Sequence, residues 1–117
     1  MAHIVIVGAG LGGTPMAYEM REAARPGDQV TVIANTTKFH FVPSNPWVAV
    51  NWRQRDEIEL EIAPLLAKHN IDFIPVGVKR LHPVQKQLEL DDGRRIDYDF
   101  LVLATGPRLA FEEIEGL

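Results

Sequence analysis

Two short and almost continuously apolar runs dominate the first third of the chain, at residues 3–7 and 29–34. Such runs are typical of strands in a parallel sheet that is covered on both faces. Between them, residues 14–24 repeat methionine and alanine at helical spacing, which predicts a helix with a small apolar face. Pro15 suits its first turn, because a residue there has no helical partner for its N–H. The pattern therefore predicts a β-α-β unit.

Short strand patterns dominate the rest of the chain, and residues 61–70 form the one further helical pattern. Five runs predict strands, at residues 71–76, 78–82, 87–90, 94–98 and 100–104. Asp92-Gly93 is a typical two-residue hairpin turn, so we expect the strands beside it to pair antiparallel. The order predicts the α/β class, with a Rossmann-like parallel sheet and an inserted antiparallel β-meander.

Residues 35–56 interrupt this order with a polar and aromatic stretch that shows no clean period. The stretch contains two prolines and both tryptophans, Trp47 and Trp52. Loops of this length inside a compact domain usually serve a function. We therefore expect irregular structure here, with a role in function.

The composition is that of one globular domain and argues against several classes of function. The chain has 117 residues, 46% of them hydrophobic and 24% charged, and its net charge is −4 without a basic patch. We therefore expect no nucleic-acid partner. No apolar stretch reaches the length of a membrane span and no signal-peptide pattern is present, which favours the cytoplasm. The chain has no cysteine for a dithiol redox centre, and its histidines lack metal-ligand spacing, so we expect no metal site.

A glycine-rich turn follows the first predicted strand and precedes the first predicted helix. In that context G-x-G-x-x-G is typical of dinucleotide binding, because backbone N–H groups can approach a pyrophosphate at a helix N-terminus. We expect a positive φ at Gly10, where a Cβ would also obstruct the phosphates. The alternative is a turn that binds nothing. The candidate residues are Gly8, Ala9, Gly10, Leu11, Gly12 and Gly13.

The ends of two other predicted strands are expected beside this turn, because ligands of open α/β sheets bind at the carboxyl ends of the strands. The second strand ends at Ala34 and Asn35, without the acid that usually binds the adenosine ribose. Asn35 can still hydrogen-bond a hydroxyl, although asparagine is also a common turn residue in the left-handed region. The last strand ends at Thr105 and Gly106, which are further candidates for contact with the ligand.

Three segments together resemble the N-terminal half of flavoproteins that contain two dinucleotide-binding domains. They are the glycine turn, the strand at residues 98–106 that closes on Ala-Thr-Gly, and residues 39–50, which include Pro-Ser-Asn-Pro-Trp. The third segment closely resembles sulfide:quinone oxidoreductases. The resemblance implies a Rossmann-like FAD-binding domain with FAD as its cofactor. It also implies that residues 1–117 are the N-terminal segment of a parent of roughly 400 residues.

Enzymes of that family pass electrons from sulfide through FAD to a quinone, and the resemblance puts their catalytic cysteines beyond the end of this chain. Sulfide and quinone are therefore expected partners of the parent only, which we expect at the periphery of the inner membrane. We expect the chain alone to be folded, inactive and a weak FAD binder. Without the C-terminal half of the parent as a partner, residues 36–55 and the tail after Gly106 should be exposed or self-associate.

The resemblance also implies roles for single residues. Val78 is expected to bind the adenine edge through its backbone. Pro43, Ser44 and Asn45 are candidates for the flavin side, where the last two offer hydrogen-bond donors. The two tryptophans are expected to stack on the cofactor or to pack against the rest of the parent.

Other charged residues near this segment are expected to be structural. His40 has no base or nucleophile near it in sequence, so we expect a packing or surface role for it. Four acids are expected to form a solvated face that pairs with Arg53 and Arg55. These acids are Asp56, Glu57, Glu59 and Glu61.

Two other interpretations of the sequence stay open. An NADH:quinone or disulfide-reductase-type flavoenzyme shares the glycine turn and the Ala-Thr-Gly strand, but lacks the Pro-Ser-Asn-Pro-Trp segment. A non-catalytic nucleotide-binding module, complete at 117 residues, is the second alternative. Reduction of quinone by sulfide or by NADH in the longer parent distinguishes the two enzymes.

Overall fold

Four parallel strands form the central sheet, and two smaller antiparallel sheets complete the fold. The computed structural model describes all 117 residues. In chain order the elements are β1 (His3–Val7), α1 (Gly13–Ala23), β2 (Gln29–Ile33), β3 (Lys38–His40), α2 (Asn45–Ala49), β4 (Glu59–Glu61), α3 (Ile62–Lys68), β5 (Asp72–Ile74), β6 (Val78–His82), β7 (Gln87–Leu90), β8 (Arg95–Asp97) and β9 (Phe100–Leu103). Short 3-10 turns lie at Val42–Ser44, Arg55–Ile58 and Phe111–Glu113.

The central sheet has the strand order β5-β2-β1-β9, and all of its neighbouring strands run parallel. Val5 of β1 pairs with Thr31 on one side and with Leu101 on the other. The carboxyl ends of all four strands therefore lie at one edge, which we call the carboxyl edge. Because β1 has β2 on one side and β9 on the other, the chain order reverses there, as it does at the ligand sites of α/β proteins. The predicted fold class is confirmed.

Both faces of the central sheet are covered, as the continuous apolar runs predicted. Ile6 is fully buried on the face of α1 and α3, in a cluster that includes Ala17 and Leu66. Its neighbour Val5 is fully buried on the other face, where it clusters with Leu88 of β7. Burial of one such aliphatic side chain contributes about 1.5–3 kcal/mol to stability. None of the three α-helices has the length and apolar content that crossing a membrane would require.

The predicted β-meander is present and forms the cover on the second face. Its strands pair antiparallel in the order β6-β7-β8. Gly93 in the turn has a φ of +88°, and its N–H donates to the carbonyl of Leu90 at 3.0 Å. The predicted hairpin turn at Asp92-Gly93 is therefore confirmed.

The prediction of irregular structure over residues 35–56 is wrong. β3 pairs antiparallel with β4, with Phe39 opposite Leu60, and α2 forms between them with Pro46 as its second residue. Glu61 ends β4, so α3 begins one residue later than predicted. Strands of three residues contain too little periodicity to detect, and pairing between distant segments leaves no local pattern.

Two positions of the turn must be glycine, because a side chain there would clash with the backbone. Gly10 is not one of them. Gly8 has a φ of +111°, and a Cβ there would overlap with the carbonyl of Ala104. A Cβ on Gly13 would overlap with the carbonyl of Gly8. The expected positive φ at Gly10 is wrong, because the left-handed residue of the turn comes directly after β1. A Cβ on Gly10 would meet no protein atom within 4 Å.

We expect Gly8→Ala to destabilise the protein by about 3 kcal/mol or more, because the added methyl group meets backbone and the positive φ is strained. Gly10→Ala should change the free energy of unfolding by less than about 1 kcal/mol. Urea denaturation of both variants and of the wild type measures the difference. Equal destabilisation by the two substitutions would contradict these steric assignments.

Candidate nucleotide-binding site

The carboxyl edge brings together the segments that the sequence analysis singled out. The N–H of Gly8 donates to the carbonyl of Ile33 at the end of β2, at 2.8 Å. The N–H of Ala104, directly after β9, donates to the carbonyl of Val7 at 2.8 Å. The glycine turn and the ends of β2 and β9 therefore form one continuous backbone surface.

The glycine turn presents peptide groups to solvent more than side chains. Gly10 and Gly12 are exposed, and Leu11 is the one large side chain between them. No side chain caps α1 at Gly12. The N–H of Thr14 donates to the carbonyl of Gly10 at 3.1 Å and Pro15 has no N–H, so the N–H groups of Gly12 and Gly13 are the ones left to bind an anion. The hydroxyl of Thr14 donates to the carbonyl of Ala9 at 2.9 Å and holds the turn in shape.

The end of β9 lies directly against this turn. The Cβ of Ala104 lies 3.6 Å from the position that a Cβ on Gly13 would take, and 3.8 Å from the equivalent position on Gly12. Thr105 and Gly106 follow and are exposed, and Gly106 has a φ of +71° that favours glycine. The expected closeness of the two motifs is therefore confirmed.

The end of β2 lies beside the start of the meander. Ala34 is buried, and its N–H donates to the carbonyl of Ile74 at 3.2 Å. Asn35 is exposed and its φ is not positive, so the interpretation as a left-handed turn residue is wrong. Its Cβ lies 3.6 Å from the position of a Cβ on Gly77. Val78, the next residue after Gly77, therefore starts close to Asn35.

One acidic residue at this edge, Asp91, is not among the residues predicted from the sequence. The N–H of Asp91 donates to the carbonyl of Gly77 at 2.9 Å. The carboxylate of Asp91 lies so close over Gly77 that a Cβ there would overlap with Oδ2. The sequence indicates only a hairpin turn at this point. The closeness of Asp91 to Asn35 arises from the packing of the meander on the sheet, which no local pattern predicts.

The candidate residues for the flavin side lie on the 3-10 turn that leads into α2. Pro43 is exposed, whereas Ser44 is buried and donates its N–H to the carbonyl of Phe41 at 3.0 Å. The side chain of Asn45 is already engaged, because its Oδ1 lies 2.5 Å from Nε2 of His40. Contact of these residues with a flavin stays a prediction.

The segment that contains the two tryptophans, one in α2 and one after it, is exposed as expected. Trp47 is 47% exposed and Trp52 is 76% exposed. The guanidinium of Arg53 lies 5.3 Å from the ring centroid of Trp47, so Arg53 forms a cation–π contact and not the expected pair with an acid. In the tail after Gly106, Phe111 is also exposed. Packing against another chain or another part of the parent stays a prediction.

Glu59 is not part of a solvated face, because three basic side chains surround its carboxylate and leave 11% of the side chain exposed. Oε1 lies 2.8 Å from Nε of Arg55 and 3.2 Å from Nδ1 of His40, and Oε2 lies 3.8 Å from Nζ of Lys38. The hydrogen bonds from Arg55 and then from His40 hold the pKa of Glu59 below its ordinary value. Glu59 therefore ties β3 to β4 and to the 3-10 turn before it.

This ion-pair cluster lines a polar cleft of about 510 Å³, which two threonines after β2 complete, Thr36 and Thr37. Its basic side chains already share the carboxylate of Glu59, whereas the glycine turn offers peptide groups with no competing side chain. No three metal-ligating side chains are grouped in the protein. We therefore take the glycine turn, and not this cleft, as the centre of the candidate site.

A parallel sheet with a glycine turn at its switch point is typical of dinucleotide-binding α/β domains. Residues 2–117 match the family model described as "Pyridine nucleotide-disulphide oxidoreductase". The chain therefore belongs to the pyridine nucleotide-disulphide oxidoreductase family.

Individual relatives agree with the resemblance seen in the sequence. The chain is 38% identical to the sulfide-quinone reductase of Aquifex aeolicus over 93% of its own length and 25% of that protein. The crystal structure of the sulfide:quinone oxidoreductase from the same bacterium matches 95% of this chain and 26% of its own, with a TM-score of 0.89. Putidaredoxin reductase CamA of Pseudomonas putida is 30% identical over 91% of this chain and 26% of that protein. The chain thus spans about a quarter of the length of these relatives.

Glu59→Gln is expected to lower the melting temperature at neutral pH, because it removes the charge that three basic side chains share. The pKa of Glu59 is lower in the folded protein than its ordinary value of 4.5. Its contribution is therefore full above that pH and is lost as the pH falls through the lower folded-state pKa. Thermal unfolding from about pH 7 to about pH 3 should show the difference between variant and wild type disappearing in acid.

Glu22→Gln provides the control, because Glu22 is an exposed residue of α1. It should leave the melting temperature nearly unchanged at neutral pH. A Glu59→Gln effect no larger than this control, or one that persists in acid, would contradict the role of Glu59.

Proposed function

We propose that residues 1–117 form the N-terminal segment of an FAD-binding domain and bind the ADP half of FAD. We further propose that the longer parent is an FAD-dependent oxidoreductase of the sulfide:quinone type. The identity to sulfide-quinone reductase over most of this chain supports the second proposal.

One observation supports nucleotide binding above all others. Gly10 is exposed at the carboxyl edge, and neither a positive φ nor a neighbouring protein atom explains why this position lacks a side chain. A phosphate that approaches the peptide groups of the turn would explain it, because a Cβ would then stand in its way. Backbone N–H groups at the start of a helix are partners that a pyrophosphate binds readily, which supports this site for one.

We assign the other candidate residues to successive parts of FAD. The turn residues donate N–H groups to the pyrophosphate, Asn35 hydrogen-bonds the adenosine ribose, and the backbone of Val78 binds adenine. The proposed crevice lies over β1, between Ala34 on one side and Thr105 and Gly106 on the other. Pro43 and Ser44 lie in the 3-10 turn before α2. We assign them to the flavin end of the cofactor.

FAD, when bound, would supply two-electron redox chemistry, which the protein orients and tunes. The residues of this chain contribute binding and orientation, and none of them is assigned a catalytic role. With no cysteine, the chain lacks a thiol that could react with sulfide. We therefore expect it to be inactive alone, with sulfide, quinone and the remainder of the parent as partners of the whole enzyme. We also propose peripheral membrane association for that enzyme.

The second candidate is a flavoenzyme that takes electrons from a nicotinamide nucleotide. The 30% identity to a putidaredoxin reductase favours it as the alternative. In the full-length parent, flavin reduction by sulfide supports the first proposal, whereas reduction by NADH alone supports the second.

Gly10→Val is expected to abolish FAD binding by the full-length parent without unfolding it. The side chain meets no protein atom at its Cβ, so the loss should be confined to the phosphate contacts, on the order of 3 kcal/mol or more. Flavin absorbance per protein and the melting temperature measure the two effects. Gly27→Val is a matched control, since Gly27 also has open space around its Cβ and lies in the turn before β2. Wild-type flavin content in Gly10→Val would contradict the site.

A further inference from the structure

The candidate site lacks a carboxylate at the position where Rossmann-type domains usually have one. An acid at the end of the second strand accepts hydrogen bonds from the adenosine ribose in those domains. Here Asn35 occupies that position. Its amide oxygen can accept one of these bonds, but it lacks the charge that makes such bonds strong.

Asp91 brings a carboxylate to the same place from the meander. Its side chain and that of Asn35 flank Gly77, because a Cβ on Gly77 would overlap with Oδ2 of Asp91 and lie 3.6 Å from the Cβ of Asn35. Gly77 has no positive φ. The carboxylate of Asp91 occupies the space that a side chain at Gly77 would fill.

The backbone of Asp91 is anchored, while its carboxylate is free to accept hydrogen bonds. Its N–H donates to Gly77 at 2.9 Å, and the residue before it, Leu90, is fully buried. The next acid, Asp92, is engaged with the backbone N–H of Arg94 at 3.1 Å and with its Nε at 2.8 Å. Asp91 has no comparable partner within the chain and is exposed to solvent.

We infer that Asp91 supplies the ribose-binding carboxylate that the end of β2 lacks. The inference rests on the proposed function, since it requires an adenosine at the carboxyl edge. The carboxylate accepts a hydrogen bond from a ribose hydroxyl, with Asn35 as its neutral neighbour. Gly77 is the residue that allows this, because any side chain there would displace the carboxylate.

The test compares ADP with 2′,3′-dideoxy-ADP, which lacks both ribose hydroxyls. Binding of each to the 117-residue chain is measured by titration of amide chemical shifts, a method that suits weak affinities. The wild type should prefer ADP by about tenfold, as one charge-assisted hydrogen bond implies. Asp91→Ala should lose most of that preference and keep only the weaker part that the neutral Asn35 provides, with an unchanged melting temperature because the side chain is exposed.

Two further variants make the test specific. Asp92→Asn removes a carboxylate charge from the neighbouring residue and keeps a side-chain oxygen that can accept from Arg94. It should therefore retain the wild-type preference for ADP. Asn35→Asp in the Asp91→Ala background should restore the preference, because it returns the acid to the end of β2. A double variant without preference would contradict the claim that both positions reach the same ribose edge.

Other outcomes separate this inference from the proposed function. If the wild type binds ADP and its dideoxy analogue equally, or if Asp91→Ala keeps the full wild-type preference, the role of Asp91 is wrong while nucleotide binding stands. If the chain binds neither nucleotide even at high millimolar concentration, the proposed function itself is wrong.

Discussion

Backbone contact at Gly8 is the constraint on which the rest of the carboxyl edge depends. The absence of a side chain there lets β1 end against the carbonyl of Ala104, and the absence of one at Gly13 lets α1 begin against the carbonyl of Gly8. These two contacts bring β9, the turn and the helix N-terminus together. They also leave Gly10 clear of the protein, so the peptide groups around it face solvent where an anion can approach.

The meander links the stability of the domain to the shape of this edge. Leu88 and Leu90 are fully buried against the second face of the sheet, so β7 cannot shift without exposing core residues. Asp91 follows directly after this strand, and its backbone bond to Gly77 places its side chain over Gly77 and close to Asn35. A structural cover on the sheet thus also determines which side chains stand at the proposed adenosine end of the site.

Much of the fold was predictable because its signals are local. Continuous apolar runs identified β1, β2 and β9, and Asp92-Gly93 identified the hairpin of the meander. The sequence pattern also identified the glycine turn, although it assigned the left-handed conformation to Gly10 when packing against Ala104 requires it at Gly8.

The rest of the structure depends on contacts between distant segments. β3 and β4 are three residues each and pair across the loop that contains α2, so neither has a period of its own. Glu59 looked like one acid of a solvated run, yet Lys38 and His40 approach it from the paired strand. Asp91 likewise becomes a candidate only when the meander has packed on the sheet.

Mapping ADP on the chain tests the central claim most directly, namely that the carboxyl edge is a nucleotide site. Amide chemical shifts of the 117-residue chain are recorded with increasing ADP. The account predicts that the largest shifts fall on residues 8–13, Asn35 and Val78, with smaller ones at Gly106. Shifts confined to the polar cleft around Glu59, or no shifts at high millimolar ADP, would contradict it.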